Sequence, residues 1–600
     1  MKCTAKGFWA VLLLLWMASM PVSGTVIPIG RLPGGQFWSS NSVGVVGGIP
    51  NVTTIYTNFW PTNGTWDNIN RALRSCPSNQ VVYLNAGTYA ITDSLTFGPH
   101  VGGNNGVVLR GAGIGQTRLR WTGGSNSKVF IGGNWSQADD RYWKDNKVDW
   151  TSGYEQGSTN ITIANNNEGF QVGDMILLSQ ENDPNLVNPQ GTSTYRRVIT
   201  GADGEEYNQM QWVRIAAIDN NTNLTIWPGV YMTNYRASQN PVVFWTGAHS
   251  IAQKIGLEDM TFDMSALGNH SAPEIEFIVA YNCWVDNISV TNVGYAGVKF
   301  NRSAHCTAHN SIVTYSSSGG TSSSYGFNAV MSSDILIQNN STYRITAPVL
   351  LDNGTSGCVI SYNFCTNMLY GLSPGWMPYS LNTHGAHPTM NLFEGNVGTG
   401  IAFDTVHGSS SHNTVFRNAF SGYQGNLEGY GTFVLNNTYV MGVMSWNRDV
   451  TVVGNVLGTD GYHSNYQVDV VTYPSNYGNI KSIYLLGFWG NYTALNNADP
   501  ETVTSLLRTG NYDAVNDAIV WDASGAQTLP DSLYLGARPS WWNNAVPFPP
   551  IGADLVTRVS PIPAQLRFEA FLTGGDTSQN DPPRAPSGLR VVLGAAAPSP

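Results

Sequence analysis

Charge is scarce in this chain of 600 residues: Asp, Glu, Lys and Arg make up only 11%. Long solvated helices, which need a charged outer face, are therefore not expected. The net charge of −10 comes without a basic stripe, which argues against a nucleic-acid partner. Cysteine is rare as well. There are six, and no Cys-x-x-Cys pair occurs, so a thiolate zinc site is not expected. Beyond the N-terminus no apolar run approaches the ~20 residues that a membrane helix needs. What is present instead is glycine, 65 residues of it, with Asn, Ser and Thr throughout. That composition suits short strands and tight turns.

The N-terminus is the exception. Lys2 and Lys6 precede an apolar run from Phe8 to about Met20, and small residues lead on to Gly24. Residues 1–24 are read as a secretory signal, too short in their apolar part for a membrane anchor. A secreted protein without an integral membrane segment is expected after cleavage.

The densest cluster of chemical side chains lies between His384 and Asn418. Four of the ten histidines, His384, His387, His407 and His412, fall there. The stretch also repeats itself. Leu392 matches Val415, Phe393 matches Phe416, Glu394 matches Arg417 and His384 matches His407, each 23 residues apart. A repeat of that length is one turn of a coiled sheet. The asparagines that follow each strand, Asn287, Asn310, Asn339, Asn363, Asn396, Asn418 and Asn455, are spaced by 23, 29, 24, 33, 22 and 37 residues. A base period near 23 with loops inserted at particular turns fits one coil per repeat. Asn tolerates the left-handed backbone of such turns and bonds to neighbouring backbone groups, so this column is read as structural. Cys283 and Cys306, also 23 apart, stack on neighbouring coils as a disulfide or as two buried thiols. The five cysteines left after signal cleavage include at least one free thiol.

Earlier in the chain, Trp66 to Cys76 places Ile69, Leu73 and Cys76 on one helical face, and Pro77 ends the helix. Short strands follow at Val81–Tyr89, Val107–Gly113 and Thr117–Leu119. This order of helix, Gly87-Thr-Tyr89 and Leu109-Arg-Gly-Ala-Gly113 resembles the N-terminal cap and first coils of the pectate-lyase-like family of right-handed parallel β-helices. The resemblance covers about 55 residues. It implies an all-β fold, a right-handed parallel β-helix solenoid with an N-terminal helical cap, spanning residues 25–575. Residues 124–250 break the rhythm and are read as a small inserted β unit. Residues 483–575, with a helix from Asp499 to Arg508, are read as a closing segment that wraps the solenoid and covers its C-terminal end. Residues 576–600 read as a linker, and Ala585–Val591 resembles the start of a fibronectin type III strand, here truncated.

Aligning the strands before each Asn gives an outer column Asn301, Val330, Asp352, Asn382, Asp404. Strands are ~4.8 Å apart, so Asp352 and Asp404 stand about 10 Å apart, with room for a water between the carboxylates as in an inverting glycosidase. His384 and His407 fall on adjacent coils beside them. Two such imidazoles can share a proton, bind a metal, or act as base and hydroxyl donor. Asp404, His407, His384 and Asp352 are thus the candidate catalytic residues; His387, His412, Asn382 and Arg417 are the candidate substrate-binding residues. Glu394 and Arg417 are read first as a structural ion pair. Arg417 as the base of a polysaccharide lyase is the second reading.

The resemblance implies a groove along the coils that binds a polysaccharide, with a divalent cation such as calcium as the candidate cofactor. The sequence departs from the family's known enzymes. The hydrolases' Gly-His-Gly is represented only by Thr383-His384-Gly385, and the lyases' Arg-x-Pro-x-x-Arg is absent. Fold alone does not fix activity. The preferred reading is a secreted carbohydrate-active protein that cleaves a polysaccharide as lyase or glycoside hydrolase. The alternative is a non-catalytic carbohydrate-binding or surface-adhesion module, for which 19 Trp and 28 Tyr would supply stacking platforms. A tailspike-like structural fibre is a third reading, against which the signal sequence counts.

Overall fold

The computed structural model describes residues 26–124, 128–133, 147–189, 203–245, 251–317, 319–321, 323–427, 432–469, 480–488, 499–522 and 527–574. The signal region and the 576–600 linker with its fibronectin-like start lie outside the described residues.

The chain is an all-β, right-handed parallel β-helix. Each full coil contributes one strand to each of three faces. Ala296–Asn301, Thr307–His309 and Ile312–Ser316 make one coil; Tyr325–Val330, Leu336–Gln338 and Ser341–Tyr343 make the next. Further coils follow through Ala347–Asp352, Leu381–His384, Ile401–Phe403 and Met441–Val443 on face one. Among the described residues face one is an eleven-stranded sheet, and its strands from Val129–Gly132 onward pair in parallel register with the next coil. Alternate side chains point inward. On face one they form the columns Val298, Phe327, Val349, Leu381, Ile401 and Phe300, Ala329, Leu351, Thr383, Phe403, all almost wholly buried.

The turn between faces two and three sets the register. Asn287, Asn310, Asn339, Tyr362 and Arg417 all hold φ between 51° and 55° there, and Gly395 and Gly454 take the same place. One residue later comes an inward ladder. The side-chain oxygens of Asn363, Asn396, Asn418, Asn455 and Asn511 accept from the backbone N–H of Asn340, Asn363, Asn396, Asn418 and Asn455 at 2.8–3.0 Å. The column read from sequence therefore splits in two. Asn287, Asn310 and Asn339 occupy the left-handed turn position, where Asn is tolerated; the later asparagines form the ladder, which pairs buried backbone groups.

A second turn column, between faces one and two, holds His305, Asp334, Met390, His412 and Asp449 at φ 53–57°. The inward position next to it carries Cys283, Cys306 and Cys358 in early coils and Asn391 and Asn413 in later ones. Cys358 N–H donates to Asn391 Oδ1 at 3.0 Å. Cys76, Cys283, Cys306, Cys358 and Cys365 are all free, buried thiols.

Helix α1, Trp66–Ser75, closes the near end, with Thr65 as its N-cap and Ile69 and Leu73 fully buried. The inserted unit is a closed antiparallel barrel of six strands between Lys147 and Trp245. Val129–Gly132, inside the expected insertion, is part of the solenoid. The barrel is seated on the turns between faces one and two. Trp212 N–H donates to Ser333 Oγ at 2.9 Å, Asn208 Nδ2 to the Ala386 carbonyl at 3.3 Å, and Asn188 N–H to Ser409 Oγ at 2.9 Å.

In the closing segment the helix is shorter than the expected Asp499 to Arg508. Helix α2 is Pro500–Ser505, capped by Asp499; Leu507–Thr509 is a strand because it pairs with Thr451–Val453. Residues 527–574 run back along the outside of the solenoid. Arg417 meets Asp554 at 2.7 and 3.0 Å and the carbonyl of Pro530 at 2.9 Å. Glu394 accepts from Tyr362 Oη at 2.7 Å, Ser532 Oγ at 2.5 Å and Leu533 N–H at 2.8 Å. So Glu394 and Arg417, expected to pair with each other, each fasten the tail. Both lie at positions facing out of the coil, where the tail supplies partners more than 100 residues away. Helix α3, Pro563–Leu572, ends the strap with Phe568 against Tyr343 and Phe364.

Two stability outcomes follow. Replacing Asn418 by Ala orphans the buried N–H of Asn396 and removes the side-chain amide that bonds the Phe393 carbonyl at 2.9 Å; a loss of about 1–3 kcal/mol is expected in denaturant unfolding. Burial pushes the Glu394 carboxyl up to about 7, despite its three donors. A raised carboxyl pKa favours the folded state below the unfolded value near 4.5, and that advantage drains away as pH climbs toward 7. Relative to Glu394→Gln, the wild type should therefore lose about 3 kcal/mol of stability between pH 4.5 and pH 7; parallel pH–stability curves would contradict it.

Candidate functional site

Face one carries two outward columns. The strand Leu381–His384 turns Leu381 and Thr383 inward, so Asn382 and His384 both face out. Backbone register pairs Asp352 with His384, and Thr383 with Phe403, which sets Asp404 beside His384. The column thus reads Asn301, Val330, Asp352, His384, Asp404. The expected place of Asn382 between the two aspartates is taken by His384. The cause is coil length: the step from His384 to Asp404 is 20 residues, because this coil has shorter turns than its neighbours.

His384 Nδ1 lies 2.8 Å from Asp404 Oδ2. Asn382 Nδ2 donates to the same oxygen at 3.0 Å, and the Val406 N–H donates to Asp404 Oδ1 at 3.0 Å. Asn382 therefore joins the site from the neighbouring column. The His407 ring meets that of His384 edge-on, with centroids 4.6 Å apart. Asp352 lies on the other side of His384, and Gly385 fits there only as glycine. It has φ +76°, and a Cβ would come within 2.7 Å of the Asp352 carboxylate and 2.2 Å of Asn353 Oδ1. Asp352 and Asp404 are buried, while His384 and His407 are partly open. Burial by itself would raise the Asp404 carboxyl. The charge and hydrogen bond of His384, the Val406 N–H and Asn382 outweigh it and hold the group below the usual carboxylate range.

The remaining candidates lie elsewhere. His387 is fully buried, its Nε2 2.8 Å from Ser411 Oγ, and desolvation lowers its pKa to about 3. It fills the turn beneath the barrel. His412 sits at the left-handed turn position with Nδ1 3.0 Å from Ser411 Oγ, and burial lowers its pKa to about 4. Arg417 anchors the tail at faces two and three, away from this column.

Among the described residues, no group of three or more His, Cys, Asp or Glu side chains is placed to hold a metal ion. Two carboxylates, with Asp404 Oδ2 already shared by His384 and Asn382, fall short of the ~6–8 oxygen ligands that a calcium ion takes. What they fit is proton transfer. With Nδ1–H held by Asp404, the imidazole keeps Nε2 as the basic nitrogen, and the carboxylate stabilises the imidazolium that forms.

The solenoid, with its three faces and Asn-laddered turn, has the fold of a right-handed parallel β-helix. No protein-family model and no curated protein matches the sequence. Among solved structures, the chain is similar to the tailspike protein gp49 from Pseudomonas phage LKA1, at 13% identity over 67% of this chain and 68% of that one, with TM-score 0.41. It is similar to the tailspike gp61 of Pseudomonas phage phi297, at 11% identity over 78% and 75%, TM-score 0.40. It is also similar to a polygalacturonase from Erwinia carotovora ssp. carotovora, at 13% identity over 69% and 79%, TM-score 0.30. Likenesses this distant assign no residue a role.

His384→Ala removes the leading counter-charge of Asp404 while leaving it buried. The Asp404 carboxyl should then titrate above the usual range, as read by carboxyl-carbon NMR; an unchanged titration would contradict the pairing.

Proposed function

We propose that this is an exported enzyme that cleaves a polysaccharide on face one, using His384 held by Asp404. The observation that carries the reading is the 2.8 Å His384–Asp404 contact, with Asp352 on the opposite side of the same imidazole. A partly open histidine between two buried carboxylates is a general acid–base arrangement. Asp404 keeps the ring oriented. His384 moves the proton, Asp352 is the second carboxyl group, about 10 Å from Asp404 by strand spacing, and His407 and Asn382 orient sugar hydroxyls. A scaffold of stacked coils presents this column to a linear substrate lying along the solenoid. The barrel, bonded at Ala386 and Ser409, walls the site on one side. Export rests on the sequence of residues 1–24.

A panel of acidic and neutral polysaccharides, read both by unsaturated-product absorbance and by new reducing ends, tests this. Cleavage of at least one polymer is expected, with the rate falling at least 100-fold in Asp404→Asn. Absorbance identifies an eliminating mechanism, reducing ends without absorbance a hydrolytic one. Retention of a polymer without cleavage would overturn the enzymatic reading.

A further inference from the structure

Face two carries a second polar column that the face-one site does not use. Register aligns Arg110, Glu258, Asp286, His309 and Gln338 along five successive strands. They form the floor of a groove of about 910 Å³. Its two walls come from opposite ends of the chain. The N-terminal segment is tied down through Val45 N–H to Thr307 Oγ1 at 2.9 Å and Val46 N–H to Asn282 Oδ1 at 3.1 Å. The C-terminal strap supplies Tyr534 and Trp541, and the Ser40 N–H bonds the Tyr534 carbonyl at 3.1 Å, joining the walls. A space this size holds an oligosaccharide of a few units, not a bare ion.

The charge balance of the floor is specific. Arg110 is matched by Glu258, Nε to Oε2 at 2.5 Å, and Trp284 Nε1 donates to the other Glu258 oxygen at 2.8 Å. That leaves Asp259 and Asp286, neither in a salt bridge with a lysine or arginine among the described residues, although Arg110 near Asp259 and the buried Arg567 near Asp286 offset part of their charge. Asp259 Oδ1 accepts from Asn287 Nδ2 at 2.7 Å. Asp286 Oδ1 accepts from Asn310 Nδ2 at 3.1 Å and faces His309 Nδ1 at 3.1 Å. All of these contacts use Oδ1 of each aspartate. Asp259 is raised first by burial, with the nearby charge of Asp286 adding to it. Trp541 stands over this end, edge-on to His309 with centroids 5.3 Å apart, and His309 Nε2 is buried without a hydrogen-bond partner. An aromatic wall beside carboxylates suits a sugar, with the ring face on the indole and polar groups on the acids.

We propose that the face-two groove is a second glycan-binding site, selective for an amine-bearing sugar chain whose ammonium group is held between Asp259 and Asp286 against Trp541. A polyuronate is disfavoured there, because the carboxylates of Glu258, Asp259 and Asp286 outnumber the cations Arg110 and Arg567. This site is separate from the face-one column and stands or falls independently of it.

Calorimetric titration of the full chain at pH 6 with glucosamine trimer, N-acetylglucosamine trimer and galacturonate trimer tests the proposal. The glucosamine trimer should bind at least tenfold more tightly than either of the others. Asp286→Asn and Trp541→Ala should each weaken it at least tenfold, and His384→Ala should leave it unchanged. Asp259→Asn serves the same purpose where Asp286→Asn fails to fold. No binding of the glucosamine trimer, equal binding of its N-acetylated form, or binding that survives both aspartate variants would overturn the proposal. So would binding lost in His384→Ala and kept in Asp286→Asn, which would place the ligand on face one instead.

Discussion

Everything in this molecule depends on a turn of one left-handed residue followed by one inward asparagine. A solenoid strand can slip against its neighbour, and a slip by one residue moves each side chain to the other side of the sheet. The ladder from Asn340 to Asn511 prevents it, because each step requires a specific backbone N–H to meet a specific amide. With that corner locked, face one has no freedom of register. Asp352, His384 and Asp404, separated by 32 and 20 residues in sequence, fall into one outward column.

The 23-residue period was enough to recognise the coil, but it registers His384 with His407, whereas the backbone registers it with Asp404 and the His407 ring reaches it from three residues further on. Nor was the period enough to align the column between Asp352 and Asp404. Coil length varies in the turns, and only backbone pairing shows that the step at His384 is 20 residues rather than 22. Strand alternation held a usable signal: with Leu381 and Thr383 inward, both Asn382 and His384 must face out. The misplaced candidates share another cause. His412 and Arg417 occupy left-handed turns, where the side-chain direction no longer follows the strand. Arg417 then finds its partner in Asp554, 137 residues on, which no local pattern announces. His387 lies under a barrel whose contacts with the coil are equally remote. The face-two column shows the same limit. Arg110 and Glu258 sit on paired strands of neighbouring coils, but the inserted barrel puts 148 residues between them in sequence.

The two ends of the chain act as straps. Arg31 reaches Asp449 at 3.1 Å, and the segment then runs along face two toward Arg110 at the near end. The C-terminal strap runs beside it. Edges and faces of a parallel sheet need covering; here irregular segments near both ends of the described chain cover face two, and helix α3 packs on Tyr343 and Phe364 beside them. The aromatic residues of those segments, Trp38, Tyr534 and Trp542, are buried against Tyr362, Leu392 and Phe416. Asp352, His384 and Asp404 lie on face one, with the barrel at its edge, and of the three only His384 is partly exposed.

The central claim is that His384 and Asp404 act as one unit. A double-mutant cycle on the rate of polysaccharide cleavage tests it most directly. If Asp404 works only through the imidazole that it orients, the His384→Ala, Asp404→Asn double variant should be no slower than His384→Ala alone. Losses that multiply would show two independent groups, and activity that survives the double variant would place the chemistry elsewhere.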